Sequence, residues 1–258
     1  MFKTNAPYFA AAAAALLFLS LLIFGRTRPT ATIAAEKMRS MQSDAISSDD
    51  LLASAKQSLG NKANVADSLE KKIQATTDIP KKIALLKRLS GEWCQLGSFA
   101  LGGVYAEQLA KIVPSDTAWS MAGTTFMLAL QQSEDENLRN FASNHATTAF
   151  ESAISLNPTR LEHKINLALS YVEKPGEMPM KGIGMLTKIA EENPTNTSIF
   201  LTLGRLSLRT GQYEKAKGRF ETVLTLDKAN ADAHCLLAKA YEGLNDLENA
   251  KKEGRWCK

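Results

Sequence analysis

Histidines, cysteines and acidic residues are the side chains here whose chemistry could support catalysis or hold a metal ion. The three histidines, His145, His163 and His234, lie far apart, and none belongs to an HExxH motif or a zinc-type His/Cys spacing. His234 directly precedes Cys235, but neighbours on a helix point about 100° apart, so this pair alone does not chelate an ion. The acidic run 134–136 is typical of a solvated turn. The sequence therefore predicts no metal site and no cofactor.

Other catalytic motifs are also missing from the sequence. It contains no P-loop, no GxGxxG and no GxSxG, and its three cysteines, Cys94, Cys235 and Cys257, form no CxxC pair. An odd number of cysteines argues against a disulfide framework, so we interpret them as small helix-packing residues and one thiol near the terminus. We expect that the chain is not an enzyme.

The composition of the 258 residues indicates a mostly helical protein without nucleic-acid binding. Alanine, leucine, lysine and glutamate dominate after residue 80 and favour helices, whereas 15 glycines and 8 prolines are too few for many tight β-turns. The net charge of +4 is mild, and no block of five or more cations occurs. Because a nucleic-acid binder concentrates its cations on one face, we expect no nucleic-acid partner.

Residues 1–26 are predicted to be a membrane anchor. The stretch 8–24 is uncharged, and its 17 residues span about 26 Å as a helix, close to the roughly 30 Å of a bilayer core. Arg26 and Arg28 stand at its far border, where long cationic stems are favoured. A cleaved signal peptide is the alternative, because small residues follow at 31–35, but we favour an uncleaved anchor and a single-pass membrane protein.

The sequence gives opposing indications about which side of the membrane the rest of the chain lies on. More positive residues follow the apolar stretch than precede it, which favours a cytoplasmic location. A short basic N-terminus ahead of an apolar run is, however, typical of exported signal-anchored domains. We expect the extracytoplasmic side, and the cytoplasmic side remains the alternative.

Residues 27–79 are predicted to be a linker with short capping helices. Ser48 or Asp49 is expected to cap one helix that runs through Leu59, and a second amphipathic piece is expected over 65–75. These pieces either pack onto the rest of the chain as a cap or lie near the membrane.

A repeat of 34 residues organises the chain from residue 80 onward. Leu203 and Gly204 align with Leu237 and Ala238, and Ala216 aligns with Ala250 in the same register. An earlier unit from residue 161 fits with two extra residues in the proline-rich turn 174–179. Looser units precede it at about 83–116 and from 119, the latter with about eleven extra residues that predict a longer first helix or a protruding loop.

This pattern resembles the tetratricopeptide repeat (TPR) family, whose unit is a helix-turn-helix of 34 residues. The unit from Thr197 places the family's residue types at Phe200, Leu203, Gly204, Gly211, Tyr213, Ala216, Phe220 and Val223. It departs from the family at Ser207, where an aromatic residue is usual, and at Lys228, where proline is usual. The resemblance implies an all-α, TPR-like α-solenoid of about five units over 80–258, behind the N-terminal transmembrane helix.

The resemblance also implies where a partner would bind, because in the family the first helices line a concave groove. The corresponding partner-binding residues here are Ile165, Leu169, Leu201, Arg205, Arg209, Cys235 and Lys239, with Ser120, Thr124 and Met127 upstream. We expect a peptide with apolar side chains and a carboxylate near the cations. Alternatively, the cations only keep the surface solvated.

Two functions fit these expectations. The first is a membrane-tethered scaffold that binds a protein or peptide partner through its repeats. The alternative is a dedicated accessory factor in the biogenesis of an envelope complex, such as cytochrome c assembly, which anchored TPR proteins resemble in layout. Self-association through the ends of the solenoid is a weaker option, because Trp256 could leave apolar surface open.

Overall fold

The computed structural model describes residues 46–174 and 179–257, which form twelve α-helices, one 3-10 turn and no strands. The helices are α1 (Ser48–Leu59), α2 (Asn64–Ala75), α3 (Ile79–Gln95), α4 (Phe99–Ile112), α5 (Asp116–Gln132), α6 (Glu136–Leu156), α7 (Leu161–Glu173), α8 (Met180–Glu192), α9 (Thr197–Arg209), α10 (Tyr213–Leu226), α11 (Ala231–Gly243) and α12 (Leu247–Gly254). The predicted anchor 1–26 lies outside the described residues. Of the helices that are described, none has the length and apolar character needed to cross a membrane.

Helices α3 to α12 form five consecutive antiparallel hairpins, which confirms the predicted all-α repeat fold. Each helix packs on the helices immediately before and after it. First helices of successive hairpins also touch, as α5 does with α7 and α9 with α11. The apolar core accordingly runs as a series of clusters along the stack, as expected for units that cannot bury their apolar faces alone.

The helices α1 and α2 pack onto the first hairpin as a cap, one of the two arrangements that the sequence left open. Their apolar residues share a cluster with α3 and α4. The buried Glu70 of α2 accepts hydrogen bonds from Lys56 of α1 at 2.6 Å and from the Tyr105 hydroxyl of α4 at 3.0 Å. The predicted cap of α1 was wrong by one or two residues, because Ser47 caps the helix in a reciprocal capping box with Asp50.

Glycine appears where the hairpins need positive φ or close approach. Gly97 and Gly211 end first helices with φ of 78° and 70°, as predicted. At Gly204 a β-carbon would lie 2.3 Å from the ring of the buried Phe220, and at Gly123 it would lie 2.6 Å from the ring of Phe150. An aromatic ring of the second helix therefore rests on the backbone of the first helix in both units.

The extra residues of the second hairpin lengthen its helices. Helix α5 has 17 residues and α6 has 21, and only residues 133–135 separate them. The side chain of Asp135 caps α6 by accepting from the amides of Asn137 and Leu138. The alternative of a protruding loop is therefore wrong, and the longer-helix alternative is confirmed.

The departure from the family at Ser207 has a structural counterpart. Ser207 is buried, and the Arg219 guanidinium donates to its hydroxyl and, at 2.7 Å, to the Leu203 carbonyl. Burial lowers the pKa of Arg219. In the neighbouring units Tyr171 and Tyr241 occupy the aromatic position. In this unit the hydrogen bonds of Arg219 therefore stand where the neighbouring units have an aromatic side chain.

Candidate polypeptide-binding face

The first helices α5, α7, α9 and α11 carry the predicted groove residues, and we call their exposed side the first-helix face. Its α5 part has no charged side chain after Asp116. Met121 is 63% exposed and Leu128 is 39% exposed, although both are apolar. The α5 sequence has one charged residue in 17, the Asp116 at its start. This part of the face offers apolar contact to a ligand.

A groove of about 330 Å³ lies between α5 and the start of α7 on this face. It is lined by Thr117, Ser120, Met121, Thr124, Arg160, Glu162 and His163. The Thr124 hydroxyl donates to the Ser120 carbonyl at 2.8 Å, so its oxygen remains able to accept a hydrogen bond. The groove therefore combines the exposed apolar side chain of Met121 with hydroxyl groups on α5 and with the charged side chains of Arg160 and Glu162.

Asp116 holds the two sides of this groove together. Its carboxylate lies 3.0 Å from Nε2 of His163, 3.2 Å from the Arg160 guanidinium and 3.1 Å from the Asn157 amide. The hydrogen bond to His163 is the main reason why the pKa of Asp116 falls from 3.8 to about 2. Because His163 is 1% exposed, this interaction is a tie between α5 and α7.

The apolar residues predicted for the groove lie at the joints between units. Ile165 is 8% exposed and packs with residues of α8 and α9. Leu169 and Leu201 are half-buried against the same kind of inter-unit cluster. Met127 is 9% exposed. Their contact with a partner remains a prediction, and the exposed apolar residues of this face are Met121 and Leu128, which the sequence reasoning missed.

The predicted cations of the face are exposed, and two of them are already paired with acidic residues. Arg205 lies 3.3 Å from Asp232 of the following unit, and Arg209 contacts Glu173 of the preceding unit. Lys239 is exposed on α11. The C-terminal part of the face therefore has two ion pairs, Arg205–Asp232 and Arg209–Glu173, which link α7, α9 and α11 and which we call the charge ladder. Two of its three predicted cations thus have an acidic partner.

Cys235 differs most from expectation, and the interpretation of the cysteines was wrong for two of the three. Cys235 forms a disulfide with Cys257, 22 residues further along the chain. The hairpin of α11 and α12 returns the chain to α11, so the two residues meet although their spacing shows no motif. Cys94 is the free cysteine of the described residues, and burial raises its pKa.

Each of the three histidines is paired with a carboxylate on another helix. His145 of α6 lies 2.6 Å from Glu107 of α4, His163 pairs with Asp116, and His234 pairs with Glu253 of α12. Burial opposes ionisation of Glu107, but hydrogen bonds from His145 and Lys111 outweigh it and lower its pKa. The histidines therefore tie neighbouring helices together.

Comparison with known proteins agrees with this architecture. A model of the tetratricopeptide repeat family matches residues 231–253, which include α11 and most of α12. A search of curated protein sequences gave no match. A tetratricopeptide repeat protein from Parabacteroides merdae has a solved structure that aligns with a TM-score of 0.51 at 14% identity, over 80% of this chain and 77% of that chain.

Two further solved structures align less closely. MamA gives a TM-score of 0.45 at 17% identity, over 65% of this chain and 91% of that chain. YrrB, described as a TPR protein with an unusual peptide-binding site, gives 0.40 at 16% identity, over 73% and 89%. Identities this low show likeness of fold alone. The last unit matches the tetratricopeptide repeat model, and the described chain has an all-α, tetratricopeptide-repeat-like fold.

Proposed function

We propose that this chain is a membrane-tethered, non-catalytic scaffold that binds a segment of a partner polypeptide on its first-helix face. The observation that carries the proposal is the surface of α5 after Asp116, which has no charged side chain. Met121 and Leu128 are exposed there, and Met121 also lines the groove. Burying such a side chain completely contributes about 1.5–3 kcal/mol. Covering these two partly exposed side chains would therefore add about 2 kcal/mol to binding, enough to favour a partner with apolar side chains.

The charge ladder fits a partner that also carries carboxylates. The Arg205–Asp232 pair is exposed on both sides, with 52% and 74% of the side chains accessible. Exposed ion pairs contribute only about 0.2–1 kcal/mol, so a carboxylate of the partner can replace Asp232 at small cost. Arg205 and Lys239 are accordingly proposed to bind acidic groups that flank the apolar segment.

Two features support the tether and its proposed extracytoplasmic side. Residues 8–24 are uncharged and about as long as a bilayer core requires. The disulfide between Cys235 and Cys257 belongs to the chemistry of oxidising compartments, because cytosolic thiols are kept reduced. The same disulfide favours the narrower alternative, an accessory factor in the biogenesis of an envelope complex, over a cytoplasmic adaptor.

Substitution of the exposed apolar residues tests the binding proposal. We expect Met121→Glu combined with Leu128→Glu to abolish co-purification of the polypeptide that the unchanged full-length chain retains from its own membranes. Met180→Glu is the matched control, because Met180 is equally exposed at 66% but lies on a second helix, α8. Equal retention of the partner by both variants would refute the proposed face.

Reversal of the cations tests the electrostatic part separately. Arg205→Glu combined with Lys239→Glu should weaken retention of the partner, and the loss should be larger at low salt than at high salt. Lys188→Glu, an exposed lysine on α8, should leave retention unchanged. Undiminished binding by the double variant would show that the cations only solvate the surface.

A further inference from the structure

Residues 255–257, which follow α12, turn back onto α11, and we call them the tail. Cys257 is bonded to Cys235, with 5.2 Å between their α-carbons. The ring of Trp256 stacks on the ring of His234, with centroids 4.2 Å apart and an angle of 7° between the planes. The tail is thus attached to two consecutive residues of α11 by one covalent bond and one ring contact.

The tail occupies a place that another unit occupies elsewhere in the stack. Ile165 and Leu201 hold the same position in their units as Cys235 does in the last unit, and both pack in clusters that include the first helix of the following unit. Beyond α11 and α12 the tail covers this position instead. It therefore closes the described end of the first-helix face.

The two cysteines of the bond are unequally exposed. Cys257 is an exposed residue, whereas Cys235 is partly buried on α11. In thiol–disulfide exchange the incoming thiolate must reach a sulfur in line with the S–S bond, so accessibility decides which sulfur is attacked. The exposed position of Cys257 makes its sulfur the point of attack.

We propose that the Cys235–Cys257 bond is a thiol–disulfide exchange site at which a dithiol opens the tail. One thiolate of the dithiol attacks the sulfur of Cys257, the S–S bond breaks, and Cys235 leaves as a thiolate that takes a proton from water. The second thiol of the dithiol then attacks the mixed disulfide and releases Cys257 as a thiol. Two electrons pass to the protein, and the dithiol leaves oxidised to its own disulfide.

Opening the bond changes the surface at the end of the first-helix face. Trp256 is 45% exposed, so its stacking on His234 is a weak attachment once the covalent bond is gone. Release of the tail uncovers His234 and frees the thiol of Cys235 on α11. The added contact surface for a partner rests on the function proposed above, whereas the exchange reaction does not.

The reaction is tested with the full-length chain in detergent, with Cys94→Ala to remove the third thiol. The protein is treated with glutathione, quenched in acid, alkylated and mapped by peptide mass spectrometry. Mixed disulfide is expected on Cys257 at least about tenfold more often than on Cys235, because Cys257 is the more exposed of the two residues. Equal modification of the two cysteines, or two free thiols in the air-oxidised protein, overturns the proposal.

Hydrogen exchange tests the opening itself, with dithiothreitol as the dithiol. Reduction should speed exchange in peptides covering 231–236 by about tenfold or more, while exchange in α3 to α6 stays unchanged. Unchanged exchange at 231–236, or reduction that proceeds only after the helical circular dichroism signal is lost, overturns the proposal. These readouts need no partner, so failure here leaves the binding proposal standing, and loss of binding by the α5 variants leaves the exchange site standing.

Discussion

Removal of the Phe220 ring should destabilise the two C-terminal units and leave the first units intact. Phe220 is fully buried in a cluster with Ala216, Leu237 and Ala240, and its ring rests on the backbone of Gly204. The ring therefore joins α9 and α10 of one unit to α11 of the next. In a stack whose units contact only their neighbours, the loss of this interface should remain local.

The size of the effect follows from the complete burial of the ring. Phenylalanine-to-alanine substitution at a buried site costs about 3–5 kcal/mol. The ring rests on the backbone of Gly204, which has no side chain that could move into the cavity, so we expect little relaxation to offset the loss. Since about 1.4 kcal/mol corresponds to a tenfold change in an equilibrium constant, protection of amides should fall by roughly two to nearly four orders of magnitude. This loss should appear in α9 to α12.

Native-state hydrogen exchange measured peptide by peptide is the assay for Phe220→Ala. Phe150→Ala is the matched variant, because Phe150 is 1% exposed and rests on Gly123 two units earlier. That substitution should lower protection in α5 to α7 and leave α11 and α12 unchanged. If both variants lowered protection equally in every helix, the chain would behave as one global core, and the reasoning from stacked units would be refuted.

Three further predictions address single contacts. Gly204→Ala should lower the melting temperature, because overpacking of the buried ring costs about 1–3 kcal/mol. Gly218→Ala, in the open middle of α10, should raise the melting temperature, because replacing an exposed helical glycine stabilises the fold by up to about 1 kcal/mol. Cys257→Ser should reduce the stability of the last unit by about 3 kcal/mol in urea unfolding, the chain-entropy value for a loop of this length, and Cys94→Ala should change it little. The pKa of Asp116 is lowered on folding, so its stabilisation is complete above about pH 4 and is lost as the pH falls to about 2; Asp116→Asn should remove this part of the acid dependence followed by circular dichroism.

The repeat architecture could be predicted because its determinants are local and periodic. Small residues such as Gly123 and Gly204 recur where helices approach, and Gly97 and Gly211 mark turns that need positive φ. These requirements act within one hairpin, so a single sequence displays them. Even the eleven extra residues of the second hairpin could be assigned to one of two arrangements, although only the structure decided between them.

The pairing of side chains across units could not be predicted in the same way. Arg209 meets Glu173 at a separation of 36 residues, and His163 meets Asp116 at a separation of 47. Such contacts depend on how far adjacent helices rotate and slide against each other, and the 34-residue period does not encode that. For the same reason the exposure of Met121 and the burial of Met127 on one helix, α5, were not foreseen.

The disulfide was missed for a related reason. Counting cysteines assumes that an odd number signals free thiols, yet Cys235 and Cys257 meet because α12 returns the chain to α11. One short hairpin, rather than a recognisable cysteine motif, brings the two sulfur atoms together. The third cysteine, Cys94, remains free in α3.

Site-specific photocrosslinking in native membranes tests the central claim most directly, because it reports which face of the stack touches a partner. A benzophenone amino acid placed at Met121 on α5 should crosslink to a contiguous segment of one polypeptide. The same probe at Met180, which is as exposed but lies on the second helix α8, should give no such product. Crosslinks of equal yield from both positions, or from Met180 alone, would contradict a partner held on the first-helix face.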